Sequence, residues 1–238
     1  METIIKRYLD KHGFERFAPK AVLFDMDGVL FDSMPNHARS WHLAMAECGI
    51  DMDESEAYQY EGMRGVETIK LKAREQWHRE LSDEEAQHMY DIKTRYFSQC
   101  PPARKMEGVE ALMHTIKSHG MQIGVVTGSG QRSLLDHLEQ AFPGLLHREL
   151  MVTSFDVSHG KPQPDPYLAG LRKVGCEPWQ AIVVENAPLG VRAAVAARIF
   201  TVAVNTGPLP DAVLQAEGAS LIYKRMSDFN KDFESLLP

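Results

Sequence analysis

The sequence predicts an α/β fold, a doubly wound parallel sheet with an inserted all-helical cap. Three observations lead there. From about residue 108 onward, short apolar runs alternate with helical patterns, which marks βα units and a parallel sheet. The run Ala21–Phe24 has no polar alternation, as expected of a strand buried on both faces. Between these regions, residues 34–102 show helical spacing and no strand candidate. The expected division is an N-terminal helical extension over 1–17, a core built from 18–33 and 103–238, and a cap over 34–102.

Whole-chain properties fit that frame. A chain of 238 residues can bury a full core, and 44% hydrophobic with 25% charged residues is ordinary for a soluble protein. A net charge of −7 gives no footprint for nucleic acid, and no apolar run approaches a membrane span. The basic pair Lys6-Arg7 is not followed by an apolar stretch, unlike a signal peptide. Three widely spaced cysteines, Cys48, Cys100 and Cys176, suggest a reducing compartment and no zinc site. A cytoplasmic monomer is the expectation.

Along the chain, Ile4, Ile5, Tyr8 and Leu9 have helical spacing, and Gly13 is placed to end that helix. Strand Ala21–Asp25 follows, and Gly28 allows a sharp turn. Ser33 is placed as an N-cap for a helix with Pro35 in its first turn and a stripe of Trp41, Met45 and Cys48. A weaker helix is expected over Asp51–Tyr60, then the loop Glu61-Gly62-Met63-Arg64-Gly65, then a helix over Val66–Arg79. Ser82-Asp83-Glu84-Glu85 is a capping box opening a helix to about Gln99, where Pro101-Pro102 stops it. The stripe of that helix includes Lys93, whose long stem can snorkel to solvent. Then come helix Gly108–His119, strand Gln122–Val126, helix Gln131–Ala141 and strand Leu150–Thr153. Helix Asp165–Val174, strand Ala181–Val184, helix Leu189–Ala197, strand Ile199–Val204 and a closing strand near Ser220–Tyr223 complete the pattern.

The polar residues at strand ends suggest chemistry. Asp25 and Asp27, Thr127-Gly128-Ser129-Gly130, and Glu185-Asn186 each follow a buried strand, and Lys161 follows a loop after another. In a doubly wound sheet these ends open at one edge. Acids and an amide oxygen suit a small hard cation such as Mg²⁺. A lysine and the amides of a glycine-rich turn neutralise phosphoryl oxygens. Asp25 is free to attack phosphorus and form an acyl phosphate. Asp27 can protonate the leaving oxygen and then activate the acceptor. Each element alone reads equally well as a capped, solvated loop; their coincidence points to phosphoryl transfer.

Asp25-Met26-Asp27-Gly28-Val29, Thr127-Gly128-Ser129, Lys161-Pro162 and Glu185-Asn186-Ala187-Pro188-Leu189-Gly190 resemble, in order, the four motifs of the haloacid dehalogenase superfamily. The likeness is to the branch of β-phosphoglucomutases and small phosphatases with a helical cap after the first strand. It implies Asp25 as nucleophile and Asp27 as acid and base. It also implies metal ligation by Asp25, the Asp27 carbonyl and the Glu185-Asn186 pair. Thr127 and Gly128 would hold the transferring phosphoryl, and Lys161 would bridge it and Asp25. True dehalogenases lack the second acid, so Asp27 argues against carbon–halogen chemistry. The intact Asp25, Asp27 and Lys161 likewise argue against an idle phosphate-binding module. Many relatives have Glu-Asp where this chain has Glu185-Asn186, and the amide brings an oxygen but no charge.

The cap should decide what accepts the phosphoryl group. His37 and Lys93 fall where mutases of this branch have a histidine and a lysine, although a lone helical histidine is also an ordinary half-buried residue. The mutases carry a cap-loop arginine for a distal phosphate; here Gly65 aligns with it and Arg64 stands one residue early. Glu61 adds an acid that either faces the site or points into solvent. The Glu-Gly-x-x-Gly loop and the fourth motif resemble a cap-bearing inorganic pyrophosphatase branch. The expectation is a Mg²⁺-dependent phosphohydrolase acting on a small phosphorylated substrate, pyrophosphate first. β-Phosphoglucomutase is the alternative.

Overall fold

The computed structural model describes residues 1–129 and 132–238. Helix α1 (Glu2–His12) precedes strand β1 (Ala21–Phe24). Helices α2 (Met34–Glu47), α3 (Glu54–Ala57), α4 (Gly65–Trp77) and α5 (Asp83–Ser98) follow without an intervening strand. The chain then alternates through α6 (Val109–Ser118), β2 (Gln122–Val126), α7 (Arg132–Ala141), β3 (Met151–Val152), α8 (Asp165–Val174) and β4 (Ala181–Glu185). It closes with α9 (Pro188–Ala196), β5 (Phe200–Val204), α10 (Asp211–Ala216), β6 (Leu221–Tyr223) and α11 (Met226–Asp232).

The strands form one parallel sheet in the order β3-β2-β1-β4-β5-β6. β1 lies at its centre, and the order reverses between β1 and β4, the crevice where such sheets bind ligands. Phe24 is in register with Val125 of β2 and Val184 of β4, so the residues after these strands emerge at one level. All four β1 residues are fully buried because both faces are covered. Val22 and Phe24 join a core with α6 and α11, whereas Ala21 and Leu23 join one with α8 and α9. The cap has a core of its own, with Met45, Ile50, Met52, Ile69 and Met89 at its centre. Among the described residues no helix is long and apolar enough to cross a membrane.

Some sequence expectations change. The helix over Asp51–Tyr60 shrinks to the four residues of α3, opened by a capping box from Asp53 to Glu56. α10 and α11 had no forecast, being six and seven residues long, too short for apolar periodicity to show. Gly130 and Gln131 lie outside the described residues, and the helix expected from Gln131 is described from Arg132. Ser33 occupies the N-cap position of α2 but makes no side-chain cap bond.

Candidate active site

The first half of the site stands on strand ends. After Phe24 the chain turns tightly: the Gly28 amide donates to the Phe31 carbonyl at 2.8 Å with Gly28 at φ 76°. A side chain at Gly28 would also meet the Asn186 amide, since a Cβ there would lie 2.1 Å from its Nδ2. Gly28 is therefore required both by the turn and by the neighbouring strand end. Gly190 has the matching role in α9, where a Cβ would fall 1.8 Å from Glu185 Oε1. The Glu-Asn-Ala-Pro-Leu-Gly motif thus makes room for its own carboxylate.

Lys161 is buried and its Nζ donates to Asp25 Oδ1 at 2.5 Å, to Glu185 Oε1 at 2.7 Å and to the Val126 carbonyl at 3.2 Å. Glu185, which the resemblance implied as a metal ligand, has both oxygens engaged within the protein instead. Oε1 also accepts from the Tyr167 hydroxyl at 2.7 Å, and Oε2 accepts from the amides of Asn186 and Ala187 at 2.9 and 3.2 Å. Thr127 Oγ1 accepts from the Ser129 amide at 3.1 Å, shaping the turn that carries Gly128.

The second half comes from the cap. A cavity of about 480 Å³ separates cap and core, with Asp25, Asp27 and Thr127 on its floor and His37, Glu61 and Lys93 above. Lys93 does not snorkel out. It is 4% exposed, it shares a hydrogen bond with His37 Nδ1 at 2.8 Å, and its ammonium lies 4.7 Å from the Phe97 ring centre. His37 Nε2 lies 3.2 Å from Asp27 Oδ1, the same oxygen that receives the Ser33 hydroxyl at 2.6 Å. Ser33 turns its hydroxyl to Asp27, and its helical backbone angles (φ −96°, ψ −16°) are not the extended ones of a capping residue, so α2 starts without a side-chain cap. Glu61 crosses to the core, where both its oxygens accept from Asn186 Nδ2 at 3.1 and 3.0 Å.

Burial governs the charges. It raises Asp25 to about 7, with Lys161 opposing and Glu185 and Asp27 adding to the rise. Glu61 is pushed well above the usual carboxylate range by burial and then by Asp25 and Glu185. Burial would also raise Asp27, but His37 and Ser33 hold it below its ordinary value. Lys161 loses by burial yet is held high by Asp25 and Glu185, whereas burial lowers Lys93 to about 8 against the pull of Asp27.

Carboxyls crowded so closely call for a further cation. The Asn186 Oδ1 acceptor is buried and has no hydrogen-bond partner among the described residues. An orphaned hard oxygen on the amide that holds Glu61, at the end of the strand next to that of Asp25, fits Mg²⁺. Among the described residues no group of three or more His, Cys, Asp or Glu is placed to hold a metal, so a cation here would have to draw on the Asn186 amide as well as on carboxylates.

Of the residues expected from sequence, Asp25, Asp27, Thr127, Gly128, Ser129, His37, Glu61 and Lys93 meet at the cavity. Lys161, Glu185 and Asn186 lie behind it, joined to Asp25 and Glu61 as described. Arg64 is apart: its Nη2 donates to the Val157 carbonyl of a core loop at 2.9 Å. Sequence reasoning missed Tyr167 and the use of Ser33. Neither has a local signal, because a tyrosine inside α8 and a serine at a helix start have ordinary structural readings.

The family model for haloacid dehalogenase-like hydrolases matches residues 22–204. The chain belongs to that family. Within it, a solved structure from Bacteroides vulgatus described as "Putative beta-phosphoglucomutase" is 52% identical, with a TM-score of 0.94 over 98% of this chain and 95% of that one. The validoxylamine A 7'-phosphate phosphatase of Streptomyces hygroscopicus subsp. limoneus is 30% identical over 83% of this chain and 91% of its own length. Hexitol phosphatase A of Escherichia coli is 30% identical over 78% of this chain and 83% of its own. Phosphatases and phosphomutases of the haloacid dehalogenase type are thus its relatives, as befits an enzyme.

Proposed function

We propose that this enzyme hydrolyses a small phosphorylated substrate through an aspartyl phosphate on Asp25, with pyrophosphate as the favoured substrate. Lys161 holds Asp25 Oδ1, leaving Oδ2 to attack phosphorus. The new Oδ2–P bond forms as the bond from phosphorus to the leaving oxygen breaks, and Asp27 gives that oxygen a proton. Asp27 is held below its ordinary range in the free site, and the negative phosphoryl group beside it raises its proton affinity as substrate enters. Asp27 then takes a proton from water, whose oxygen attacks the phosphoryl group and frees Asp25 and phosphate. Thr127 and the amides of its glycine turn hold the phosphoryl oxygens. Glu185, tied down by Tyr167, keeps Lys161 in place. Mg²⁺ held by Asp25, the Asp27 carbonyl and Asn186 Oδ1 would neutralise charge on the transferring group.

The observation behind the substrate choice is Glu61 on Asn186. It brings an acid of the cap to the metal side of the site while Arg64 is turned to Val157. With Mg²⁺ bound, Glu61 would be a carboxylate and would repel a second phosphate on a long sugar, and among the described residues no arginine lines the cavity to offset it; a compact substrate held by Mg²⁺ tolerates it. A rate screen over pyrophosphate, β-glucose 1-phosphate with a bisphosphate activator, and common sugar phosphates tests this. Fastest turnover on pyrophosphate is expected. Rapid glucose-phosphate isomerisation with negligible pyrophosphate hydrolysis would overturn it.

The second reading is β-phosphoglucomutase. It draws on the Lys93–His37–Asp27 chain and on Trp41, Tyr90 and Phe97 in the cavity wall, which suit a sugar ring. The sugar-phosphate phosphatases among its relatives keep phosphosugar hydrolysis within the same screen.

A further inference from the structure

Arg64 is not among the residues lining the cavity, yet it too bonds directly to the core. It sits at the N-cap of α4, and its Nη2 donates to the carbonyl of Val157, 93 positions away in sequence, at 2.9 Å. Val157 belongs to the loop that runs from β3 to Lys161. The base of that loop is fastened to the core. Asp156 Oδ2 accepts from the Thr153 amide and hydroxyl, both at 2.8 Å, and Asp156 Oδ1 accepts from Lys173 at 2.8 Å. The next residue, Val157, is held from the cap side by Arg64.

Glycines allow this contact. The Arg64 stem lies over Gly160, where a Cβ would come 3.2 Å from Arg64 Cγ and 3.5 Å from Nε. Gly62 sits on Lys161, where a Cβ would lie 3.1 Å from its Cδ. The Gly62 carbonyl in turn is 3.3 Å from where a Cβ of Gly128 would be. The cap loop thus presses on both the Lys161 loop and the phosphate-binding turn, with Gly62, Gly128 and Gly160 at the points of closest approach.

We infer that Arg64 is a latch: it binds the Val157 carbonyl across the Gly160 gap, and so couples closure of the Glu61 loop to the placement of Lys161. Arg64 is a positioning residue, acting on chemistry through Lys161 and Glu61. A charged donor on a backbone carbonyl is stronger than a neutral one, and guanidinium holds it with a preorganised plane that lysine lacks. Its effect on turnover rests on the reading that the closed cap serves a small substrate; the latch itself does not.

Hydrogen exchange on the full-length protein without substrate tests it, read in peptides spanning 58–66 and 153–161. Arg64→Ala is expected to speed exchange in both peptides by about tenfold, the size expected for one lost charged hydrogen bond. Arg64→Lys should give a smaller rise. Gly160→Val, which crowds the Arg64 stem from the other side, should reproduce the effect. The double variant should be no worse than either single one, because both remove the same contact. Pyrophosphate turnover should fall in the same order. Unchanged exchange in the 153–161 peptide, or additive effects of the two substitutions, would overturn the latch. A raised KM for phosphorylated substrates with unchanged exchange would overturn it too, and make Arg64 a phosphate ligand. A wild type inactive on pyrophosphate would instead sink the substrate reading and leave the exchange result standing.

Discussion

Two halves of one site are built differently. The core half hangs on β1, β2 and β4, whose ends are brought to one level by parallel register, and its groups are held by bonds to backbone and to one another. The cap half rides on α2, α5 and the loop before α4, and it touches the core through single side-chain contacts such as Glu61 on Asn186. The first half cannot move without breaking the sheet. The second is tied to the core by a few side-chain hydrogen bonds. On the proposed mechanism, chemistry common to all substrates belongs to the core half and selection among substrates to the cap half.

This contrast can be broken by experiment. Asp25→Asn should reduce turnover on every substrate by about a thousandfold or more while the fold persists, because the nucleophile is lost outright. Substantial residual activity at unchanged stability would remove the covalent step. Asp27→Asn should cost about 10²- to 10⁴-fold on alkyl phosphates and clearly less on an activated aryl phosphate, whose leaving oxygen needs no proton. Equal losses on the two would reduce Asp27 to a holder for Ser33 and His37.

The cap half predicts smaller and selective effects. Glu61→Ala should slow pyrophosphate hydrolysis by about tenfold, as for a lost contact around a metal, and change a bulky ester little. Equal slowing of both would mean that Glu61 serves the core and that the two halves are not separable in this way.

The smallest effect is on stability. Asp25 is raised from the ordinary carboxylate range to about 7, so between those values the folded protein binds a proton that the unfolded chain has released. Its contribution is present at low pH and is lost as pH rises through 7. His37 is lowered from 6.5 by burial and works in the opposite sense, but its contribution changes mainly below that value. Metal-free wild type should therefore lose about 3 °C in Tm between pH 6.5 and 7.5. Asp25→Asn should show a flatter slope, and added Mg²⁺ should stabilise wild type more at pH 7.5 than at 6.5. A slope unchanged by the substitution would assign the pH dependence elsewhere.

The fold and the core half were legible in the sequence for a simple reason. Once Ala21–Phe24, Gln122–Val126 and Ala181–Val184 are read as parallel neighbours, topology alone brings Asp25, Thr127 and Glu185 together, whatever their side chains do. Local composition also marked Gly28, and the resemblance included Gly190 in its fourth motif, although their task of leaving space for Asn186 and Glu185 appears only when the strands are paired. The cap half was legible as a list of residues and not as an arrangement. Lys93 sits in an apolar helical stripe, and only the packing of α5 against α2 decides that its ammonium meets His37 instead of water. Ser33 looked like a cap and serves Asp27. Tyr167 gave no signal, because its partner Glu185 lies on another element. Arg64 lay within reach of a phosphate by sequence position, and tertiary structure turned it to a carbonyl 93 residues on. Strand order and hydrophobic pattern are properties of the chain itself; the direction of a long polar side chain is set by partners that only the packed fold supplies.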